Sequence, residues 1–122
     1  MFLSVVIPTY NRLPILEKCL RALESQRLAA PISNYEVVVV DDGSTDDTVP
    51  WLGRHQADPP HVRLVQQDHG GPAEGRNRGV DHARGDVIVF IDSDLVVTEN
   101  FLLSHASQLN QSWQGRGDRL CF

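Results

Sequence analysis

The amino-acid sequence predicts an α/β fold: an open, mainly parallel sheet with flanking helices. Three observations carry that reading. Val5-Val6-Ile7, Val37-Val38-Val39-Val40 and Val87-Ile88-Val89-Phe90-Ile91 are continuous apolar runs rather than alternating ones, as expected of strands buried on both faces of a parallel sheet. The strand-like segments begin 24 to 32 residues apart, about one strand–helix–strand unit each. The segments between them repeat their apolar residues at helical spacing, and helices alternating with buried strands build an open α/β sheet.

Strands are expected at Leu3–Pro8, Tyr35–Val40, Val62–Gln66 and Asp86–Ile91. The first helix is marked by Ile15, Leu16, Cys19, Leu20 and Leu23, which fall on one stripe. Pro14 lies near its start, where a missing N–H costs nothing. A second helix, Asp47–Gln56, follows Ser44-Thr45-Asp46, with Ser44 or Thr45 as N-cap and acids in the first turn. The third, Pro72–Arg84, stops at the Arg84-Gly85 signal. The fourth, Thr98–Asn110, gathers Phe101, Leu102, His105 and Leu109 on one side. Ser112 to Asp118 reads as a polar loop, and Arg119-Leu120-Cys121-Phe122 resembles the opening of a further strand.

At 122 residues the chain is one domain's worth, with enough length to bury a core without disulfides or zinc. Its 41% hydrophobic and 22% charged content suits a globular domain. The net charge of −5 argues against a general nucleic-acid binder. Cys19 and Cys121 form no C-x-x-C pair and read as two unrelated reduced thiols. The apolar N-terminus lacks a basic region and a cleavage site, so it reads as a strand and not a signal peptide. No apolar run approaches the roughly 20 residues of a membrane span. The expected location is therefore cytoplasmic, either free or peripheral at the membrane's cytoplasmic face.

Ligands of open α/β sheets bind at the carboxyl ends of the strands. Here the first strand ends in Pro8-Thr9-Tyr10-Asn11-Arg12, the second in Asp41-Asp42-Gly43-Ser44, the fourth in Asp92-Ser93-Asp94. Carboxylates gathered on one rim repel one another, and a cation relieves the repulsion. Asp92 and Asp94 are two apart, so in extended chain their side chains point the same way. Such a pair suits Mg²⁺ or Mn²⁺ when substrate phosphates supply the remaining oxygens. A bare D-x-D is more often a turn cap followed by a solvated acid; its place at the end of a buried strand, beside a second acidic strand end, favours the metal. Asp41 and Asp42 alternate in direction, so one faces a ligand squarely and the other is free to cap the next helix with Ser44. Tyr10 either stacks on a base or covers the sheet rim. Gly70-Gly71-Pro72 opens the third helix, where glycine allows close backbone approach and the helix N-terminus attracts an anion, although a plain helix start looks the same. Arg76 and Arg78 reach a phosphate or are simply solvated, and Gly79 permits close packing of helix on sheet. His55, His61, His69, His82 and His105 have no metal-site spacing and read as surface or packing residues.

Four motifs together resemble family 2 glycosyltransferases. They are Ser4-Val-Val-Ile-Pro-Thr-Tyr-Asn11, Val37-Val-Val-Val-Asp-Asp-Gly-Ser-Thr-Asp46, Gly71-Pro-Ala-Glu-Gly-Arg-Asn-Arg-Gly79 and Ala83-Arg-Gly-Asp-Val-Ile-Val-Phe-Ile-Asp-Ser-Asp94. The resemblance spans about residues 3–110. It implies the GT-A fold, a Rossmann-like sheet, with residues 1–122 as its nucleotide-sugar-binding part, incomplete at the C-terminus. With right-handed winding, it puts the first strand between the second and the fourth, and the second beside the third. It implies a nucleotide-sugar donor held by Pro8, Thr9, Tyr10, Asp42, Gly71, Asp92 and Ser93. Pro8, Thr9 and Tyr10 then line the base pocket and Asp42 reads the base edge. Asp92 and Asp94 hold Mn²⁺ or Mg²⁺ on the diphosphate. The implied reaction is transfer to an acceptor hydroxyl with inversion, with the catalytic base beyond Phe122. Some members carry a basic residue near the third helix start, where this chain has Gly71-Pro72. The implied partners are the donor and an acceptor glycan, lipid or small molecule, together with self-association through a truncated sheet edge.

Two other readings belong to different classes. One is a nucleotide-binding fragment without activity. The other is a phospho-receiver-like signalling module, whose acids follow its first and third strands and not the second and fourth. A dinucleotide-binding Rossmann domain needs G-x-G-x-x-G after the first strand, and Pro8-Thr9-Tyr10-Asn11-Arg12 does not supply it.

Overall fold

The computed structural model describes residues 1–55, 61–112 and 120–121. Five strands form one sheet, β1 (Phe2–Thr9), β2 (Asn34–Asp41), β3 (His61–Gln66), β4 (Val87–Phe90) and β5 (Leu120–Cys121), in the order β3-β2-β1-β4-β5. Every pairing is parallel, and β1 lies between β2 and β4 as the sequence predicts. The chain steps from β1 out to β3 in one direction and then crosses back past β1 to β4. The reversal leaves a switch point between β1 and β4, where an open parallel sheet forms its binding crevice.

The continuous valine runs fill both faces of the sheet. Val5, Ile7, Val37, Val39, Val87 and Val89 pack against Leu16, Cys19, Leu20 and Leu23 of α1 (Leu13–Glu24), Leu52 of α2 (Thr48–His55) and Leu102, Ala106 and Leu109 of α4 (Phe101–Ser112). Val6, Val38, Val40 and Ile88 face the other way, toward Val80 and Ala83 at α3 (Pro72–His82) and its end. Helix α3 comes very close to the sheet at Gly79, where a Cβ would collide with Val6. That contact gives Gly79 the packing role read from the sequence.

Three helix boundaries differ from expectation for reasons the contacts show. Helix α2 begins at Thr48 and is not capped by Ser44 or Thr45. Asp46 Oδ1 accepts from the Thr48 N–H at 3.0 Å and from the Thr48 hydroxyl at 2.5 Å. Ser44 and Thr45 are instead drawn to Asn11, as described below. Helix α3 ends at His82 because the next donors are taken by side chains of the sheet: Arg84 N–H by Glu36 at 2.7 Å and Gly85 N–H by Ser4 Oγ at 2.8 Å. Helix α4 starts at Phe101 rather than Thr98, after a turn closed by Phe101 N–H to the Thr98 carbonyl. The expected strand near the end of the chain is present as β5, whereas the polar loop before it lies outside the described residues. No helix among the described residues is long and apolar enough to cross a membrane.

Candidate functional site

A cleft of about 410 Å³ opens on the carboxyl rim of the sheet at the switch point. Pro8, Thr9, Tyr10, Asp42, Gly71, Asp92, Ser93 and Asp94 all line it. The structure thus brings these eight residues to one cleft, whereas Asp41 and Arg78 border a different cavity and Arg76 lines neither. Arg12, His69, Pro72 and Gly75 complete the lining.

The β1 end is locked to the β2 end by Asn11. Its backbone has φ 49°, a left-handed conformation that asparagine tolerates better than most residues. Its side-chain oxygen accepts from Thr45 N–H at 2.7 Å and Asp46 N–H at 3.2 Å, while its own N–H donates to Ser44 Oγ at 2.9 Å. These bonds fix the turn that carries Tyr10 and Arg12. Tyr10 is 43% exposed, and its ring centroid lies 4.9 Å from that of His69, with the rings tilted by 44°. Thr9 Oγ1 is buried and has no protein hydrogen-bond partner.

At the end of β2 the pleat separates the two acids. Asp41 follows Val37 and Val39 in phase, Asp42 follows Val38 and Val40, and alternate residues face opposite sides of a strand. Asp41 Oδ2 accepts from Ser44 N–H at 2.9 Å, and the residue borders a second cavity of about 400 Å³ shared with Arg78. Asp42 borders the main cleft. Its Oδ1 accepts from Gln67 Nε2 and Gly70 N–H, both at 2.8 Å. Its Oδ2 accepts from Gly71 N–H at 3.2 Å and lies 2.9 Å from His69 Nδ1. Burial by itself raises the Asp42 pKa, but Gly70 N–H, the Gln67 amide, Gly71 N–H and the His69 charge outweigh it and hold the carboxyl below its ordinary value. The anion attracted to the start of α3 is therefore this carboxylate. Gly71, at φ 91°, turns the backbone so that two successive N–H groups converge on it.

The β4 end differs from the extended geometry expected of it. The strand stops at Phe90, and Leu95 N–H closes a turn on the Asp92 carbonyl at 3.1 Å. Asp92 and Asp94 are exposed on this turn, with Ser93 buried between them. The turn rests on α1, where Cys19 Sγ lies 4.0 Å from the Asp92 carbonyl oxygen. Burial, and then the charge of Asp94, push the Cys19 thiol up to about 11. Among the described residues no cluster of three or more metal-ligating side chains occurs. Asp92 and Asp94 could offer two hard carboxylates, a donor type that suits Mg²⁺ or Mn²⁺ when a substrate phosphate completes the shell.

His69 is exposed, as the sequence predicts, but its ring also meets Asp42 at the cleft, a contact the sequence reading misses. Its position after β3 and directly before Gly70-Gly71 was the available signal, because that segment must also reach the rim. Arg12 and Gly75 carried no separate signal.

The glycosyl transferase family 2 model matches residues 4–114. The poly(ribitol-phosphate) beta-glucosyltransferase of Bacillus spizizenii is 34% identical over 116 residues, 92% of this chain and 18% of that protein. The GalNAc(5)-diNAcBac-PP-undecaprenol beta-1,3-glucosyltransferase of Campylobacter jejuni is 31% identical over 113 residues, 91% of this chain and 35% of that protein. Among solved structures, S. aureus TarS 1-349 in complex with UDP-GlcNAc superposes with a TM-score of 0.80 at 29% identity, covering 96% of this chain and 36% of that one. The mannosyltransferase PcManGT from Pyrobaculum calidifontis, in complex with GDP-Man and Mn²⁺, superposes with a TM-score of 0.72 at 32% identity, covering 82% of this chain and 30% of that one. The chain spans roughly a fifth to a third of the length of these relatives. With the family model matched over residues 4–114 of the 122, this chain belongs to glycosyl transferase family 2.

Proposed function

We propose that this chain is the donor-binding part of an enzyme that moves a sugar from a nucleoside-diphosphate sugar to an acceptor hydroxyl, with inversion at the anomeric carbon. One observation carries the proposal: a half-exposed aromatic ring, a buried carboxylate and an exposed carboxylate pair meet in one cleft at the switch point. Each suits a different part of such a donor. Tyr10 offers its ring to the face of the base. Asp42 Oδ2 is placed to accept from a base N–H. Asp92 and Asp94 would hold Mn²⁺ or Mg²⁺ against the diphosphate, with Gly71 and Ser93 along the same wall. When bound, such a cation supplies the charge that stabilises the departing nucleoside diphosphate. The UDP-GlcNAc bound to TarS and the GDP-Man and Mn²⁺ bound to PcManGT support this class of donor and cation.

In the proposed transfer, the bond from the anomeric carbon to the diphosphate oxygen breaks. A bond to the acceptor oxygen forms on the opposite face, and the acceptor proton passes to a base. Glu99 does not line the cleft and lies 4.0 Å from Arg27, so this reading assigns it no part as that base. By this reading the chain alone binds donor without transferring sugar. A cytoplasmic location, free or at the membrane surface, belongs to the same proposal.

The test is titration of UDP and GDP into this chain with and without Mn²⁺. The expected result is binding of one nucleoside diphosphate that tightens when Mn²⁺ is added. Absence of binding by either nucleotide under both conditions overturns the proposal.

A further inference from the structure

We infer that His69 is a placeholder in the base site: its imidazole occupies the oxygen of Asp42 that a nucleobase ring N–H takes, and leaves when the base arrives. This inference rests on the donor-binding reading above. Asp42 Oδ1 is committed to Gln67 Nε2 and Gly70 N–H. Oδ2 meets Gly71 N–H at 3.2 Å and His69 Nδ1 at 2.9 Å. Gly71 N–H is shared with Oδ1 at 3.4 Å, so His69 Nδ1 is the nearer partner of Oδ2 and competes there with any ligand N–H.

His69 is the partner able to go. Gln67 is buried, and Gly71 N–H is fixed by its backbone turn. The His69 side chain is 68% exposed and belongs to neither hydrophobic core. Its second neighbour is the Tyr10 ring, 4.9 Å away. His69 therefore borders both groups assigned to a base, the carboxylate and the aromatic ring. With Nδ1 protonated it is itself a planar nitrogen heterocycle presenting a ring N–H to Asp42, a small imitation of the ligand. The bases that match it carry a ring N–H at the pairing edge, as uracil and guanine do. Cytosine and adenine present a ring acceptor there and would face a carboxylate.

The test uses this chain with His69→Ala and His69→Phe, titrated with uridine, guanosine, cytidine and N3-methyluridine. Phenylalanine keeps a ring beside Tyr10 but cannot engage Asp42. Both variants should bind uridine or guanosine about threefold more tightly than the wild type, the scale of a largely exposed ion pair. Neither cytidine nor N3-methyluridine should gain. In the wild type, adding the preferred nucleoside should shift the His69 Nδ1 resonance toward that of a solvated imidazole. Equal or weaker nucleoside binding in both variants overturns the placeholder and leaves donor binding standing. A gain confined to His69→Ala assigns the obstruction to ring bulk and overturns it too. No nucleoside or nucleotide binding by any of the three proteins overturns both readings together.

Discussion

The two acidic ends of this rim, Asp42 after β2 and Asp92-Ser93-Asp94 after β4, use the same side chain in opposite ways. Asp42 is buried and surrounded by donors from Gln67, Gly70 and Gly71. Asp92 and Asp94 are exposed on a turn. A carboxylate that organises a loop has to be buried with its donors, because the desolvation cost is recovered only by hydrogen bonds to its charged form. A carboxylate kept for a cation does better exposed and under-used, so that the ion brings the missing charge. The difference predicts that mutations at the two ends separate stability from diphosphate binding.

The largest effect is expected at Asp42. Asp42→Ala strands the Gly70 and Gly71 N–H groups and the Gln67 amide, and should destabilise the fold by about 2 kcal/mol, measured by urea denaturation. Asp42→Asn should lose more affinity for the preferred nucleoside than Asp41→Asn, because Asp42 lines the cleft and Asp41 the neighbouring cavity. A greater loss at Asp41 would mean that the base enters on the α2 side of the sheet.

At the other end the expectation reverses. Asp92→Ala and Asp94→Ala should each weaken Mn²⁺-dependent nucleoside-diphosphate binding by about tenfold, roughly 1.4 kcal/mol. Neither should shift the denaturation midpoint appreciably or change binding of the free nucleoside. Equal Mn²⁺-dependent affinity in calorimetry of the wild type and both variants would remove the metal from this turn.

Acid sharpens the same contrast. Asp42 and Asp46 both have folded pKa values below their ordinary range. For each, burial raises the value, but hydrogen bonds outweigh it, from Gly70, Gln67 and Gly71 to Asp42 and from Thr48 and Leu13 to Asp46. A depressed carboxyl contributes stability above its unfolded pKa, about 3.9 for aspartate, and loses it as pH falls through the folded value. Unfolding free energy should therefore hold nearly level from pH 7 to 5 and decline below about pH 4. In Asp42→Asn the decline should be smaller, because that linkage is gone. An identical acid profile in the variant would show that the loop's donors do not hold Asp42 ionised.

Much of this was legible in the sequence because the valine runs and strand-end motifs are local signals. Unbroken runs such as Val37 to Val40 give buried parallel strands, and strands in a known order put their ends on one rim. The alternation separates Asp42 from Asp41, while the choice of Asp42 as the one facing the ligand rests on the family resemblance. What stayed hidden depends on contacts across the loops. Ser44 looks like a helix cap, but Asn11 N–H claims its hydroxyl from 33 residues away. Asp92 and Asp94 look like extended neighbours, but the backbone turns at Asp92 once β4 has ended. His69 has no periodicity to mark it, and its role depends on a carboxylate in another loop.

The smallest effect concerns the packing beneath the Asp92-Ser93-Asp94 turn. Cys19 on α1 is fully buried, and its Sγ lies 4.0 Å from the Asp92 carbonyl oxygen. Burial first, and the charge of Asp94 second, raise its pKa to about 11. At pH 8 roughly one thiol in a thousand would then be ionised, and the thiolate is the reactive form. In a Cys121→Ser background, alkylation of Cys19 by iodoacetamide at pH 8 should be slower than that of a free thiol by about a hundredfold or more, and should match a free thiol in urea. A cation bound at Asp94 would cancel part of the smaller cause and leave burial, the larger, untouched. Adding Mn²⁺ and nucleoside diphosphate should therefore change the labelling rate only slightly. Rapid labelling without denaturant would mean that the turn does not rest on α1. The exposed pair at Asp92 and Asp94 would then owe its position to the ligand and not to the fold.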